Sequence, residues 1–354
     1  MSEMKRFKAT GEYVKKLGRT YEYNDALWLG LSGSGAAFSF TGKKAEIVLK
    51  GDNVAPGSVN LARIGIYVNG ARVIDDQVDQ ALKTYTVFES DTEQEVSVQI
   101  VKLSEAAMST VGILEIGVEA ADGIKPVADK PHRIEFIGDS ITCGYGVDEQ
   151  EGEKPFSTAT EDVTQAYAYL AAQAVNADYS MVSYSGYGII SGYTENGEKL
   201  LTHLLPDYYT KLAKSEGRLD GVLDPLEIEW DFAAFAPDLI VINLGTNDDS
   251  YAGDHPERQA EFAERYTEFL KTVRRQNAHV PILCTLGMMG DRLYPFVERA
   301  AARYSEESGD SDVSVMKFDV QRAEDGYGAD FHPSKRTHAK AAEKLARRIR
   351  EILG

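Results

Sequence analysis

The chain contains 354 residues, of which 43% are hydrophobic and 27% are charged. This balance is typical of globular proteins, and the length allows two domains with hydrophobic cores. The 56 acidic and 38 basic residues give a formal net charge of −18. Because such a surface repels nucleic acids and anionic membranes, we expect neither as a partner.

The amino terminus and the cysteines bear on the cellular location. Residues 1–8 lead into polar sequence, and no stretch is apolar enough for a secretion signal or a membrane span, so we expect a cytoplasmic protein. Cys143 and Cys284 are far apart and fit no metal-binding spacing, which agrees with reduced thiols. The oligomeric state is left open.

Residues 1–128 are predicted to form an antiparallel β-sandwich of the jelly-roll type. Apolar residues alternate with polar ones in short segments separated by turn residues, and Asn69-Gly70 is a strong signal for a hairpin turn. The alternating residues are Phe38 and Phe40; Ala45, Ile47 and Leu49; Ile64, Ile66 and Val68; Val96, Val98 and Ile100; and Ile113, Leu114 and Ile116. The segment from Asp122 to His132, with two prolines, is predicted to be a linker.

Residues 129–354 show a different rhythm, in which apolar strands alternate with amphipathic helices. This pattern predicts an α/β domain in which helices cover both faces of a five-stranded parallel sheet. The predicted strands are Ile134–Ile137, Tyr179–Tyr184, Leu239–Leu244, Ile282–Leu286 and Val313–Phe318. The predicted helices are Val163–Val175, Pro256–Asn277, Leu293–Glu307 and Ser334–Leu353. Between Gly188 and Trp230 the pattern is irregular, and both a surface loop and a substrate-binding wall fit it.

Residues with the chemistry of a serine acyl-transfer site follow three successive strands and precede the last helix. Ser140 would be the nucleophile, His332 its general base and Asp330 the acceptor that orients the base. The backbone N–H groups of Ser140 and Gly186 and the side-chain amide of Asn247 would stabilise an oxyanion. Each residue alone is equally compatible with a helix cap, a turn or a polar loop. Their joint occurrence in this order favours the catalytic interpretation.

These motifs resemble those of the SGNH (GDSL-type) hydrolases. The resemblance covers residues 132–354 and rests on Gly138-Asp139-Ser140, Gly186, Gly245-Thr246-Asn247 and His332. It implies a three-layer, flavodoxin-like hydrolase domain.

The whole chain is similar to the acetyl-esterases of carbohydrate esterase family 2. Val101–Ala106 and His338 also fit that family. This similarity implies an enzyme that removes O-acetyl groups from sugars, such as xylo- or manno-oligosaccharides or 6-O-acetyl hexosides, through an acetyl-enzyme on Ser140. It also implies that the sandwich is an accessory domain.

One position departs from the broader SGNH pattern, which places an acid three residues before the histidine. Here that residue is Ala329, and Asp330 stands two residues before His332. Some family-2 members are similar in this spacing, whereas others orient the histidine by a backbone carbonyl. Both arrangements therefore remain open for this chain.

We expect neither a metal nor a cofactor, because the remaining histidines are not grouped with carboxylates at ligand spacing. They are His132, His203, His255 and His279.

Two other functions remain as alternatives. One is a GDSL-type lipase or thioesterase acting on other acyl esters. The other is a non-catalytic carbohydrate-binding protein, which would need exposed aromatic residues on the sandwich. Tyr21, Tyr23 and Trp28 are candidates for that role, although core packing is the more ordinary use of such side chains.

Overall fold

A computed structural model describes residues 3–52, 58 and 60–354. The chain divides into two compact units. The first contains the chain up to Lys130 together with Ser157–Glu161 and Lys211–Trp230, and the second contains Pro131–Phe156, Asp162–Thr210 and Asp231–Gly354. The domain boundary between residues 128 and 129 stays a prediction.

The first unit is built on a curled antiparallel sheet, which in the described residues has ten strands. The jelly-roll-like architecture predicted from the alternating pattern is confirmed. The strands are β1 (Lys5–Phe7), β2 (Lys15–Leu17), β3 (Thr20–Tyr23), β4 (Ala26–Leu29), β5 (Gly35–Gly51), β6 (Arg63–Val68), β7 (Ala71–Gln77), β8 (Leu82–Lys102), β9 (Val111–Ala120) and β10 (Lys125–Pro126). The main path runs β3-β4-β9-β5-β8-β6-β7; β1 pairs with β9, while β2 and β10 pair with β5.

Strand β5 joins two of the predicted strands into one, and a β-bulge explains how. The buried positions change from even numbers (Phe38 and Phe40) to odd numbers (Ala45 and Ile47) along the strand. Against β9, the register slips at Lys43, where β5 has one residue more than its partner. Because side chains alternate with period two, one extra residue keeps both sets on the core face.

The structure contains the predicted hairpin of the first unit and differs in part from the predicted linker. Asn69 and Gly70 connect β6 to β7 with φ angles of 50° and 82°, which are the positive values that a tight hairpin turn requires, so the predicted hairpin is confirmed. The predicted linker differs in part, since Lys125 and Pro126 extend the sheet by pairing with Ser39 and Phe38. Proline tolerates this short pairing because only its carbonyl is offered to the ladder.

The later segment Lys211–Trp230 packs within the first unit. Leu212 and Leu219 form a buried cluster with Ala26 and Trp28. Trp28 is only 1% exposed, and its indole N–H donates to the Tyr23 carbonyl at 3.0 Å. Trp28 therefore serves core packing, as the more ordinary interpretation of this side chain predicts.

The stretch Val101–Ala106 is buried, and hydrogen bonds within the stretch and to Glu161 hold it. The Lys102 ammonium has no exposed surface and donates to the carbonyls of Ser104 and Glu105 at 2.8 and 2.6 Å. The Glu105 N–H in turn donates to the Glu161 carboxylate at 2.8 Å. Because a buried charge is tolerated only with such partners, this stretch has a structural use within the first unit.

The second unit contains a parallel sheet, which has five strands in the described part of the chain. They are β11 (His132–Gly138), β12 (Ala177–Ser183), β13 (Leu239–Asn243), β14 (Ile282–Met288) and β15 (Val313–Val320). Every predicted strand coincides with one of them. The order is β12-β11-β13-β14-β15, with all neighbours parallel. The direction of winding therefore reverses at β11, and in open α/β sheets ligands bind beyond the carboxyl ends of the strands at such a point.

The helices of the second unit cover the two faces of this sheet. They are α1 (Ser140–Cys143), α2 (Tyr167–Ala174), α3 (Thr246–Ala252), α4 (Pro256–Gln276), α5 (Tyr294–Ser308) and α6 (Lys335–Leu353). Short 3₁₀-helices of the second unit span Val163–Gln165, Leu205–Asp207, Phe232–Ala234, Ala323–Asp325 and Ala329–Phe331, and two more, Thr158–Thr160 and Pro225–Glu227, lie in the first unit.

The packing of these helices agrees with the predicted three-layer α/β fold, which is confirmed. Helix α2 packs against α6, and α4 packs against α5. Helices α1 and α3 were not predicted, because they are short and lack apolar periodicity.

Among the described residues, no helix has the length and apolar character needed to cross a bilayer. The cytoplasmic location stays a prediction.

We expect Phe38→Ala to destabilise the first unit strongly. Phe38 has no exposed surface in the core of the sheet, and truncating such a phenylalanine costs about 3–5 kcal/mol through lost burial and the cavity left behind. The measurement is the urea concentration at the midpoint of unfolding, reported by a spectroscopic probe in the first unit. Val73→Ala is the control, since Val73 is 46% exposed. Equal midpoints for the two variants would contradict the core assignment.

Candidate active site

Ser140 lies where strand β11 turns into helix α1. Asp139 caps this helix, because its Oδ1 accepts the Ile141 N–H at 3.0 Å. A side chain on Gly138 would come within 2.1 Å of Thr142 Oγ1, so the tight turn requires glycine at that position. The turn places the Ser140 hydroxyl at the carboxyl edge of the sheet, where the residue is 4% exposed.

His332 meets Ser140 although the two are 192 positions apart in the sequence. Its Nε2 lies 3.0 Å from Ser140 Oγ, and its Nδ1 lies 3.2 Å from the Ala329 carbonyl oxygen. A carbonyl only accepts, so this contact assigns the ring proton to Nδ1. Nε2 is then left with a lone pair that can receive the Ser140 hydroxyl proton, which is the geometry of a nucleophile with its base.

The Asp330 carboxylate points to other partners. Its Oδ2 accepts the Tyr145 hydroxyl at 2.7 Å and the Phe156 N–H at 3.0 Å. Of the two arrangements that the sequence left open, the geometry therefore favours the Ala329 carbonyl as the acceptor of the imidazole proton. Asp330 adopts a left-handed backbone with φ of 49°, so the two-residue spacing alone does not determine where its side chain lies.

The backbone around His332 is held by the segment that follows α1. Asp330 and Phe331 both have positive φ angles, 49° and 57°, which are rare for residues with a side chain and cost about 1–3 kcal/mol each. The Asp330 N–H donates to Lys154 and the Phe331 N–H to Gly152, at 2.9 and 3.0 Å. These bonds stabilise the unusual backbone, and they tie the base to the same stretch of chain that carries the nucleophile.

Gly186 and Asn247 follow strands β12 and β13, as the sequence predicts. Gly186 has a φ of 81° and open space where a side chain would be, so its backbone is accessible to a ligand. The Asn247 amide donates one N–H to the Tyr187 carbonyl at 2.8 Å, and its second N–H is available as a donor. Their oxyanion-binding roles, like the catalytic roles of Ser140, His332 and Asp330, stay predictions.

Asp248 is a residue of this site that the sequence analysis missed. It is fully buried, and its carboxylate accepts the backbone N–H groups of Ile189, Ile190 and Ser191 at 2.6–3.2 Å. Burial raises its pKa to about 6, while these hydrogen bonds act in the opposite direction. Asp248 therefore holds the loop that follows Gly186. Its position next to Asn247 was the available signal, but the sequence could not show which atoms it binds.

Electrostatics set the protonation state of the base. Burial lowers the pKa of His332 to about 4, although the hydrogen bond from its ring to Ala329 and the Asp330 charge oppose the shift. The imidazole is accordingly neutral at pH 7 and able to accept a proton. Burial also raises the pKa of Asp139 to about 7, because water no longer solvates its charge.

His338, six positions after His332, has a structural role. It is fully buried, and its Nδ1 accepts the N–H of Tyr167 at 3.1 Å. Tyr167 begins helix α2, and the first N–H groups of a helix need partners from outside it. Burial lowers the pKa of His338 to about 3, so this side chain stays neutral and links α6 to α2.

We expect the reactivity of Ser140 to fall as the pH drops through about 4, the pKa of His332. Below that pH the imidazolium cannot accept the hydroxyl proton, whereas an unperturbed histidine would titrate near 6.5. The measurement is the rate of labelling by a fluorophosphonate as a function of pH. Circular dichroism at each pH checks the fold, and His332→Ala provides the uncatalysed rate. A midpoint near 6.5 would contradict the burial argument.

Two family models match the chain. The model for GDSL-like Lipase/Acylhydrolase matches residues 134–345, and the model for Carbohydrate esterase 2 N-terminal matches residues 16–127.

Curated relatives agree with these matches. The chain is 30% identical over 329 residues to the Cellulase/esterase CelE of Acetivibrio thermocellus. The aligned region covers 91% of the chain and 37% of that protein. It therefore spans little more than a third of that relative. It is 24% identical over 360 residues to an Acetylxylan esterase / glucomannan deacetylase of Cellvibrio japonicus, which covers 100% of the chain and 92% of the relative.

Solved structures show the same fold. The acetyl xylan esterase Est2A from Butyrivibrio proteoclasticus superposes with a TM-score of 0.89 at 24% identity, covering 99% of both chains. A family two carbohydrate esterase from Clostridium thermocellum, in complex with cellohexaose, superposes with a TM-score of 0.81 at 27% identity, covering 96% of this chain and 99% of that one. The relatives of this chain are family 2 carbohydrate esterases. Because the matching family model spans more than half of the chain, the chain belongs to the GDSL-like lipase/acylhydrolase family, which is the SGNH hydrolase family that its motifs predict.

Proposed function

We propose that this chain is a serine esterase that removes O-acetyl groups from sugars, such as xylo- or manno-oligosaccharides or 6-O-acetyl hexosides. The observation that carries the proposal is the contact of Ser140 Oγ with His332 Nε2 at 3.0 Å. The names of the relatives support the substrate class, since they include an acetylxylan esterase / glucomannan deacetylase and an esterase in complex with cellohexaose.

The first half of the reaction transfers the acetyl group to the enzyme. Ser140 Oγ attacks the acetyl carbonyl carbon while His332 Nε2 takes the hydroxyl proton. The carbonyl oxygen becomes an oxyanion, which the N–H groups of Ser140, Gly186 and Asn247 stabilise; each donor of this kind is worth about 3–4 kcal/mol in the transition state. When the tetrahedral intermediate collapses, the bond to the sugar oxygen breaks and the imidazolium gives its proton to that oxygen.

The second half returns the enzyme to its starting state. Water attacks the acetyl carbon of the ester on Ser140, and His332 takes a proton from this water. The new tetrahedral intermediate uses the same donors. It collapses to acetic acid, which keeps the second proton of the water and ionises to acetate in solution, and the proton on Nε2 returns to Ser140 Oγ. In both halves the Ala329 carbonyl accepts the Nδ1–H at 3.2 Å, which keeps the imidazole in the tautomer that the reaction needs.

An acyl ester of another kind is the second candidate substrate. The matching family is described as lipases and acylhydrolases, and the chemistry on Ser140 would be the same for a fatty acyl ester or a thioester. The candidate substrates differ in the groups attached to the acyl carbon. A comparison of hydrolysis rates on different esters therefore decides between the two candidate functions.

We expect Ser140→Ala to lower the turnover of acetylated sugars by about a thousandfold or more, because the covalent nucleophile is lost. The measurement is acetate release, with a chelator present, from acetylated xylo-oligosaccharides, 6-O-acetyl hexosides and a long-chain acyl ester. Ser311→Ala, at an exposed serine, is the matched control. Faster serine-dependent release from the long-chain ester would move the assignment to a lipase. If none of these esters gave serine-dependent release, the proposal would fail, and a carbohydrate-binding role would take its place.

Asp330→Asn should cost no more than about tenfold in kcat, whereas His332→Ala should cost about a thousandfold or more. The reason is that the Ala329 carbonyl, rather than the Asp330 carboxylate, accepts the hydrogen bond from the imidazole Nδ1–H. The measurement is kcat on the best ester of the panel for the two variants and the wild type. Equal losses would assign the orienting role to the carboxylate.

A further inference from the structure

The imidazole of His332 lies in a stack of three rings. The ring of Tyr145 stacks on it with centroids 4.0 Å apart and an angle of 27° between the planes. On its other face, Tyr145 stacks on Phe156 at 4.1 Å and 21°. One face of the base is therefore covered by an aromatic side chain that is itself supported from behind.

Asp330 holds this stack together. One oxygen of its carboxylate accepts both the Tyr145 hydroxyl at 2.7 Å and the Phe156 N–H at 3.0 Å. The same carboxylate thus fixes the far end of the Tyr145 ring and the backbone of the residue that supports it. The hydrogen bond from the Tyr145 phenol to a carboxylate is of the stronger, charge-assisted kind.

The glycines on either side of Tyr145 explain how its ring reaches the base. Gly144 and Gly146 have φ angles of 79° and 57°, values that favour glycine. A side chain on Gly146 would come within 2.3 Å of the Ala329 Cβ, and one on Gly144 within 2.5 Å of the Asp162 carbonyl oxygen. The backbone at Tyr145 therefore passes close to the loop that carries His332.

We propose that Tyr145 is a positioning residue for His332, and that Asp330 acts on the base through the Tyr145 ring. The proposal builds on the role given to His332 in the proposed function, but it concerns only how that imidazole is held. It gives Asp330 a use in the site without a direct contact to the Nδ1–H.

The physical need for such a ring follows from the geometry of the base. The contact of Nδ1 with the Ala329 carbonyl is long, at 3.2 Å, and together with the contact of Nε2 with Ser140 Oγ at 3.0 Å it restrains tilting of the imidazole plane less than a packed ring does. A flat ring at van der Waals distance restrains that plane. When Nε2 takes the serine proton, the imidazolium also gains the attraction between a cation and an aromatic face. Both effects operate as the transition state forms, so they act on kcat more than on KM.

The test is a double-mutant cycle in which Ser140 labelling by a fluorophosphonate is the main readout. Tyr145→Phe keeps the stack but removes the hydroxyl that donates the hydrogen bond. Asp330→Asn replaces the carboxylate that accepts it with a neutral amide, which is a weaker acceptor. We expect each to slow labelling about three- to tenfold and the double variant to be no slower than the slower single variant, because one interaction is lost in all three. Losses that multiply would overturn the proposal.

Tyr145→Leu tests the ring itself. We expect it to slow labelling by about ten- to a hundredfold, more than Tyr145→Phe, since the flat face over the base is lost. On a hydrolysed ester, kcat should fall while KM stays near the wild-type value. Tyr327→Leu is the matched control, because Tyr327 packs on Phe331 in the same loop. Equal labelling rates for these two leucine variants would overturn the proposal.

The labelling assay separates this inference from the proposed function. If the wild type reacts at Ser140 but hydrolyses no acetylated sugar, the substrate assignment fails, and the labelling rates of the variants still decide the role of Tyr145. If Tyr145→Leu does not fold, as judged by thermal unfolding, the cycle of Tyr145→Phe and Asp330→Asn decides the proposal alone.

Discussion

The contact between Ser140 Oγ and His332 Nε2 at 3.0 Å is the interaction on which the site depends. It requires two distant parts of the chain to meet with an accuracy of a few tenths of an ångström. The parallel sheet brings Ser140 to its carboxyl edge, but His332 lies on a loop with two residues at positive φ. Backbone hydrogen bonds between that loop and the segment after α1 hold it in place, so the loop conformation and the catalytic contact are maintained together.

Buried carboxylates support the other side of the site at a cost in stability. Asp139 caps the nucleophile helix, and Asp248 collects three backbone N–H groups beside Gly186. Burial raises the pKa of both, because a charge without water is unfavourable unless hydrogen bonds replace the water. These groups make the loops around the proposed oxyanion position rigid. A site that binds a developing charge benefits from such donors being in place before the reaction.

The fold and most of the site could be predicted from the sequence because the relevant signals are local. Apolar runs located every strand of the parallel sheet, and glycine-containing motifs located Ser140 and Gly186. The orientation of Asp330 could not be predicted, since residue spacing does not determine which way a side chain turns on a left-handed backbone. The stacking of Tyr145 on His332 is likewise a contact across 187 positions, and no local pattern reports it. In strand β5 the bulge at Lys43 hid the continuity of two predicted strands.

In the proposed reaction an acetyl group passes through Ser140 with His332 as the base. Acid quenching during turnover of an acetylated xylo-oligosaccharide, followed by mass spectrometry of the peptides, tests this directly. We expect one acetyl group on the peptide that contains Ser140, and none when the quench is repeated with His332→Ala. Acetylation of a different residue, or turnover with no acetylated peptide at any quench time, would contradict it.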